Sequence, residues 1–248
     1  MTQTLANQVA LVTGAGSGMG RAIAEEFVRA GAKVVAVDLN EAAVKATAET
    51  IGEPCFPIAA DISQPECVSS IYEAATKHFG TVDVLVNNAG IWDDYAVLTE
   101  TSNDLWDKVF GVNLKAMFML CRAFVPGMVE KGNGAIVNVS SVAGQVAGAG
   151  GVAYTASKHG VIGLTRQLAS EYGPKGIRAN VICPGAIETG MNQHVINTED
   201  VASVYRQSPA ARHGQPWEIA KLALYLASTD AAFAHGGVFM LDGGWTIR

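Results

Sequence analysis

The sequence predicts the α/β class, a parallel, doubly wound sheet of about seven strands with helices on both faces. Three observations predict it. Short runs rich in Val, Ile and Leu recur along the 248 residues. They are too short for helices and do not alternate, as strands buried on both faces require. Longer amphipathic stretches separate them, and strand–helix–strand order winds into right-handed parallel units. The first strand runs through a glycine-rich turn directly into a helix, "VALVTGAGSGMGRAIAEEF".

Taken in order, the first strand is "VALVT" at 9–13, and its helix continues through "RAIAEEFVRAG". "KVVAVD" at 33–38 is the second strand, followed by the amphipathic "EAAVKATAETI". "CFPIAAD" at 55–61 is a weaker third, and "PECVSSIYEAATKHFG" follows with Ser63 as N-cap and Pro65 in the first turn. "DVLVNN" at 83–88, "AIVNVS" at 135–140, "RANVIC" at 178–183 and "VFML" at 238–241 complete the set. Long helices are expected near 101–130 and 152–173. The stretch 185–215 carries little strand signal and reads as a substrate-covering loop ahead of a helix starting near Pro216. No linker, charge block or repeat intervenes, so residues 1–248 are read as one domain.

Composition excludes several functions. The chain is 49% hydrophobic with net charge −6, an ordinary soluble balance that argues against nucleic acid or an anionic membrane surface as partner. No apolar run is long enough to span a bilayer, and the first residues lack a signal peptide's basic region and cleavage site, so a cytoplasmic location is expected. Cys55, Cys67, Cys121 and Cys183 form no CxxC pair and read as reduced thiols. His78, His159, His194, His213 and His235 lie far apart without metal-ligand spacing, so no metal is expected.

The turn holds Gly14, Gly16, Gly18 and Gly20 in the pattern TGxxxGxG, since Met19 breaks GxGxxG. Bare backbone there allows a pyrophosphate to approach a helix N-terminus. Asp38 closes the second strand about twenty residues on, where a ribose-binding carboxylate belongs; the alternative is a cap on the helix starting near Asn40. No cation stands near Asp38, because the loop offers Ser17 and the next residues are Leu39 and Asn40. A 2′-phosphate facing that carboxylate is repelled, which favours NAD(H) over NADP(H). A P-loop is excluded, as no Lys-Ser or Lys-Thr pair follows the glycines.

"TGAGSGMG" at 13–20, "NNAG" at 87–90, Asn113 in "GVNLKAMF", "VNVSS" at 137–141, "YTASK" at 154–158 and "CPGAIET" at 183–189 together resemble the short-chain dehydrogenases/reductases in their single-domain form. The resemblance covers almost the whole chain and implies a Rossmann-type sheet, a nicotinamide cofactor and a homotetramer with contacts through the long helices and the C-terminus. It implies Asn113, Ser141, Tyr154 and Lys158 as the catalytic set. Tyr154 exchanges a proton with the substrate oxygen, Ser141 (preferred to Ser140 by its spacing from Tyr154) holds that oxygen, Lys158 also bonds the nicotinamide ribose, and Asn113 holds a relay water. Among the cofactor positions are Gly14, Ser17, Gly18, Met19, Gly20, Asp38 and Leu39. Asp61 and Ile62 are expected at the adenine, Asn88, Ala89 and Gly90 at the adenosine ribose, and Pro184, Ile187 and Thr189 at the carboxamide.

The spacing of Tyr154 and Lys158 stacks them on one helix face. An ammonium about 5 Å from the phenolate oxygen, at an effective dielectric of about 20, favours the phenolate by roughly 3 kcal/mol, some two pKa units. The expectation is therefore a tyrosine brought toward working pH.

The leading function is an NAD(H)-dependent oxidoreductase interconverting a secondary alcohol and a ketone. The alternatives are a 3-oxoacyl-[acyl-carrier-protein] reductase, disfavoured by Asp38 and by a sparse basic surface in "VPGMVEKGNG", and a non-catalytic NAD-sensing protein, disfavoured because all four catalytic groups are present. The substrate wall is read as Trp92, Tyr95, Gln145, Val146, Met191 and His194, mostly apolar.

Overall fold

The computed structural model of the chain describes residues 4–191, 206 and 208–247. Seven strands, β1 (Val9–Thr13), β2 (Lys33–Asp38), β3 (Cys55–Ala59), β4 (Val84–Asn87), β5 (Gly134–Val139), β6 (Ile177–Pro184) and β7 (Val238–Leu241), form one sheet in the order β3-β2-β1-β4-β5-β6-β7. Every neighbouring pair is parallel, with Leu11 opposite both Val35 and Leu85 at the centre. The strand bounds differ from those expected by no more than two residues at either end.

The helices are α1 (Gly18–Arg29), α2 (Glu41–Ile51), α3 (Pro65–Phe79), α4 (Asn103–Phe110), α5 (Ala116–Lys131), α6 (Val152–Tyr172) and α7 (Pro216–Ala227). Alternate residues of each central strand serve opposite cores, which is why those strands show no polar face. Ala10, Val12, Val34 and Ala36 pack with Phe27 of α1 and Ile219 of α7. Leu11, Val35, Leu85 and Ile136 pack with Ile71 of α3, Leu120 and Phe124 of α5 and Leu168 of α6. Glu26 fastens α1 to α7 by an ion pair to Lys221 while also pairing with Arg29. Arg178 donates to the carbonyls of Leu226, Ala227, Ser228 and Ala231, satisfying the last turn of α7.

Local chemistry departs from expectation at two helices. Ser63 does not cap α3: its N–H and hydroxyl both donate to Asp61 Oδ1, at 3.0 and 2.7 Å, and Gln64 occupies the cap position. A carboxylate two residues back is the stronger local partner, so Ser63 is held in a turn instead. Pro65 does stand in the first turn. The expected helix around 101–130 is interrupted by a π turn, Gly111–Lys115, between α4 and α5. The combined segment, Asn103–Lys131, is long and apolar enough by length and composition to cross a membrane, contrary to the sequence reading. Half of its most apolar window is buried in the fold, as a core helix requires.

The loop assigned to 185–215 is tied at its base by a bridge between Ile187 and Gly214. His194 lies outside the described residues.

Candidate active site

In a parallel sheet all strands end at one edge, and here the sequence direction of the connections reverses between β1 and β4. Such a reversal opens a crevice at the carboxyl ends of the strands. The crevice is a cleft of about 310 Å³.

Its floor is the glycine turn. Gly14 and Gly18 have φ of 67° and 52°, which residues with a Cβ adopt at a cost. A Cβ on Gly20 would stand 2.0 Å from the Gly14 carbonyl oxygen, so the start of α1 can close on the turn only there as glycine. Ser17 sits at the cap of α1 without a side-chain bond, and no acidic residue stands in the first turn. The first-turn N–H groups of α1 and the positive end of its dipole therefore face an anion-sized space.

Asp38 is not the cap of α2; Asn40 is, accepting from Ala43 N. The Asp38 carboxylate instead accepts from Gly16 N at 2.8 Å and from Asn40 N at 2.9 Å. This aims it into the cleft, which it lines beside Asp61. Hydrogen bonding from the Ser63 hydroxyl holds the Asp61 carboxyl below the usual range. None of the described residues lining the cleft is Lys or Arg. Thr13 ties the end of β1 to the chain after β4, its hydroxyl accepting from Asn88 N and Ala89 N, both at 3.0 Å. Asn88 Oδ1 is buried without a hydrogen-bond partner among the described residues.

Gly14, Ser17, Gly18, Met19, Asp38, Leu39, Asp61, Ile62, Asn88, Ala89, Gly90 and Thr189 all line this cleft. Met191, expected at the substrate, lines it too. Gly20 is buried behind it, Pro184 ends β6, and the Ile187 side chain packs into the core below. Val37, Ala60, Ile91, Val112 and Gly190 line the cleft as well and escape the sequence reading. Val37 and Ala60 border the strand-end acids, and no motif marks them.

The acid–base groups gather where α6 crosses the end of β5. The Lys158 ammonium is buried, donates to the Val139 carbonyl at 3.0 Å, and lies 5.5 Å from the centroid of the Tyr154 ring. Ser141, whose Oγ accepts from Ala143 N, is the hydroxyl beside the phenol and favours its phenolate form. Ser140 turns away and donates to the Lys158 carbonyl.

The expected lowering of the tyrosine by its lysine is not what the protein itself provides. Burial pushes Tyr154 up to about 12, opposed by the Ser141 hydrogen bond and reinforced by the Asp93 and Tyr95 charges, and Lys158 is not among the groups that lower it. Burial also pulls Lys158 down to about 8. Desolvation acts on both groups and favours their neutral forms.

Asn113 sits inside the π turn, fully buried. Its Oδ1 accepts from Ile91 N at 2.8 Å and its Nδ2 donates to Ile91 O at 2.9 Å and Ser157 Oγ at 3.2 Å. The side chain thus locks the segment after β4 to α6, beneath Lys158. The extra residue of a π turn re-aims a side chain in this way.

At the mouth, Trp92 and Tyr95 meet edge to face with ring centroids 4.8 Å apart. Gln145 and Val146 are exposed. The strongest omission from the sequence reading is Asp93, a buried carboxylate that accepts from Gly151 N and Tyr154 N, both at 2.8 Å. In "WDDY" nothing distinguishes it from Asp94.

No group of His, Cys, Asp and Glu able to hold a metal occurs among the described residues. The four cysteines are unpaired, and burial pushes Cys55 up to about 11 and Cys121 to about 12.

A family model described as enoyl-(acyl carrier protein) reductase matches residues 14–246. The chain is 38% identical to 3beta-hydroxysteroid dehydrogenase 2 of Eggerthella lenta, over 98% of this chain and 96% of that protein. It is 39% identical to the 3-oxoacyl-[acyl-carrier-protein] reductase FabG of Vibrio cholerae, over 97% and 98%. The crystal structure of levodione reductase superposes with a TM-score of 0.93 at 34% identity, covering 98% of this chain and 99% of that one.

Gly20→Ala is expected to weaken NADH binding by about tenfold or more, since its methyl collides with the Gly14 carbonyl and Asn88. Fluorescence titration measures the binding, and circular dichroism checks that the helices persist.

Proposed function

The chain belongs to the short-chain dehydrogenase/reductase family and is an oxidoreductase of secondary alcohols and ketones, and from that premise we propose that it is NAD(H)-dependent, with Tyr154 as its acid–base catalyst. The observation that carries the catalytic assignment is the buried Lys158 ammonium 5.5 Å from the centroid of the half-buried Tyr154 ring, with Ser141 at the end of β5 beside the phenol.

The cleft suits a nicotinamide dinucleotide: a glycine cradle no Cβ can enter, an uncapped helix N-terminus and a fixed strand-end carboxylate. When bound, that cofactor supplies or accepts the hydride. Gly14, Ser17, Gly18, Met19 and Gly20 would hold its pyrophosphate, Asp38 and Leu39 the adenosine ribose, and Asp61 and Ile62 the adenine, with Asn88, Ala89 and Gly90 passing close to the adenosine ribose. Pro184, Ile187 and Thr189 would flank the carboxamide.

Ser141 orients the substrate oxygen toward the phenol. In reduction the Tyr154 O–H gives its proton to that oxygen; in oxidation the phenolate takes it back. With its ordinary form protonated, Tyr154 is ready as a donor at neutral pH. Lys158 is positioned to return the proton, and Asn113 fixes the floor on which Lys158 rests.

Asp38 supports NAD(H) over NADP(H), because a 2′-phosphate beside it would meet two carboxylates and no cation among the described lining residues. The free cysteines support a reducing, cytoplasmic setting. One seven-stranded sheet with a core on each face supports a single catalytic domain. Apolar side chains left exposed on α4 and α5 (Trp106, Phe118) and near the C-terminus (Phe233, Ile247) support association into a homotetramer.

A second reading, 3-oxoacyl-[acyl-carrier-protein] reductase, is favoured by the 39% identity to FabG of Vibrio cholerae. Against it, Lys131, the cation in "VPGMVEKGNG", is already paired with Asp83, and no Lys or Arg is among the described residues lining the cleft. A small ketone is therefore the preferred substrate.

Three outcomes test these assignments. Tyr154→Phe is expected to bind NADH as the parent does and to lose turnover by about a hundredfold or more, measured by isothermal titration and steady-state absorbance. The parent is expected to show a higher kcat/KM with NADH than with NADPH, and Asp38→Ser to narrow that ratio by about tenfold. Turnover of simple ketones is expected to exceed that of carrier-linked ketoesters in side-by-side assays; the reverse would favour the second reading.

A further inference from the structure

The helix that carries Tyr154 begins without a cap of its own. Gly151 occupies the N-cap position of α6, and the first turn contains no acidic residue. A capping side chain has no room there, because a Cβ on Gly151 would stand 2.6 Å from Asp93 Oδ2 and from the Ala96 carbonyl oxygen. The loop after β4 does the capping from outside. Asp93 Oδ1 accepts from Gly151 N, Asp93 Oδ2 accepts from Tyr154 N, and the Ala96 carbonyl accepts from Val152 N. The loop takes a costly shape to reach them, with Asp94 and Tyr95 at φ of 49° and 59°.

We propose that Asp93 is the positioning residue for Tyr154 and that its charge biases the site toward carbonyl reduction; this rests on Tyr154 being the acid–base catalyst. Tyr154 is the third residue of α6, where the positive end of the helix dipole would otherwise stabilise a phenolate. A buried carboxylate bonded to two of that turn's N–H groups cancels the effect and repels a second negative charge nearby. The same two bonds fix the backbone from which the phenol projects. The other groups facing the phenol are Tyr95 from the Asp93 loop, Ser141 from the end of β5, and Lys158 from α6 itself, with Cys183 of β6 facing that lysine. Of these, Tyr95 acts in the same direction as Asp93, and Ser141 acts against both.

Asp93→Asn keeps the shape and removes the charge. Its alcohol-oxidation rate is expected to rise with pH through a midpoint lower than the parent's, because the phenolate forms more easily. The plateau kcat is expected to fall by about tenfold from looser placement of the phenol, with KM for NAD unchanged. A plateau loss with the parent's midpoint would mark a merely structural role and overturn the proposal, as would a profile identical to the parent's. Should Asp93→Asn fail to fold by circular dichroism, Asp93→Ser, whose hydroxyl still accepts one N–H, is measured in its place; failure of both to fold also overturns it. Tyr154→Phe assayed alongside separates the two ideas. Full activity there removes the acid–base reading itself, whereas an inactive Tyr154→Phe beside an unshifted Asp93→Asn removes only the role given to Asp93.

Discussion

The site depends on a buried lysine set beside a half-buried tyrosine on one face of one helix. An ammonium withdrawn from solvent is costly unless the fold supplies partners. Here the strand beneath supplies one, the Val139 carbonyl. The compensation is incomplete, and Lys158 falls to about 8 while Tyr154 rises to about 12. The order is informative. In the protein alone the lysine gives up its proton more readily than the phenol does, so the resting site holds a neutral tyrosine. A neutral tyrosine is a proton donor, and positive charge brought in with a ligand would move it toward an acceptor.

The parallel sheet explains why such different groups converge. Strands running the same way deliver their ends to one edge, so each connection adds one part. The glycine turn follows β1, Asp38 closes β2, Asp61 follows β3, Asn88 follows β4, Ser141 follows β5, and the Thr189 segment follows β6. Distances of tens of residues in sequence become neighbours across a few strands. Thr13 shows how tightly the parts are joined: one hydroxyl at the end of β1 accepts two N–H groups from the segment after β4. At the glycine turn the cleft's shape is set by where side chains are missing.

That division explains what can be read from the sequence. Glycines at 14, 18 and 20 are legible because backbone geometry excludes other residues there, and buried strands are legible because both of their faces are apolar. Ser63 misleads because the preference of serine for helix caps is local, and the carboxylate of Asp61 competes for it at closer range. The π turn at Asn113 has no local signature; it exists because the side chain is held by Ile91 and Ser157, which are distant in sequence. Asp93 is hidden for the same reason, since its partners at 151 and 154 are brought to it only by the completed fold. The charge state of Tyr154 is illegible on other grounds. A four-residue spacing displays the attraction between phenolate and ammonium, but the desolvation of each group arises only once the fold buries both, and it is the larger effect.

The same reasoning locates where substrate choice can vary. At Gly14, Gly18 and Gly20 positive φ or close backbone leaves little room for change. On the substrate side, position 150 is equally closed, because a Cβ there would stand 2.6 Å from the Tyr154 ring. Trp92, Tyr95, Gln145 and Val146 differ: they are side chains on connecting segments, Trp92 and Tyr95 in edge-to-face contact and Tyr95, Gln145 and Val146 exposed. Asp93 lies between these regimes, on the same segment as the aromatic wall yet bonded into the first turn of α6. A change at Trp92 or Tyr95 large enough to shift that segment would therefore reach Tyr154 through Asp93.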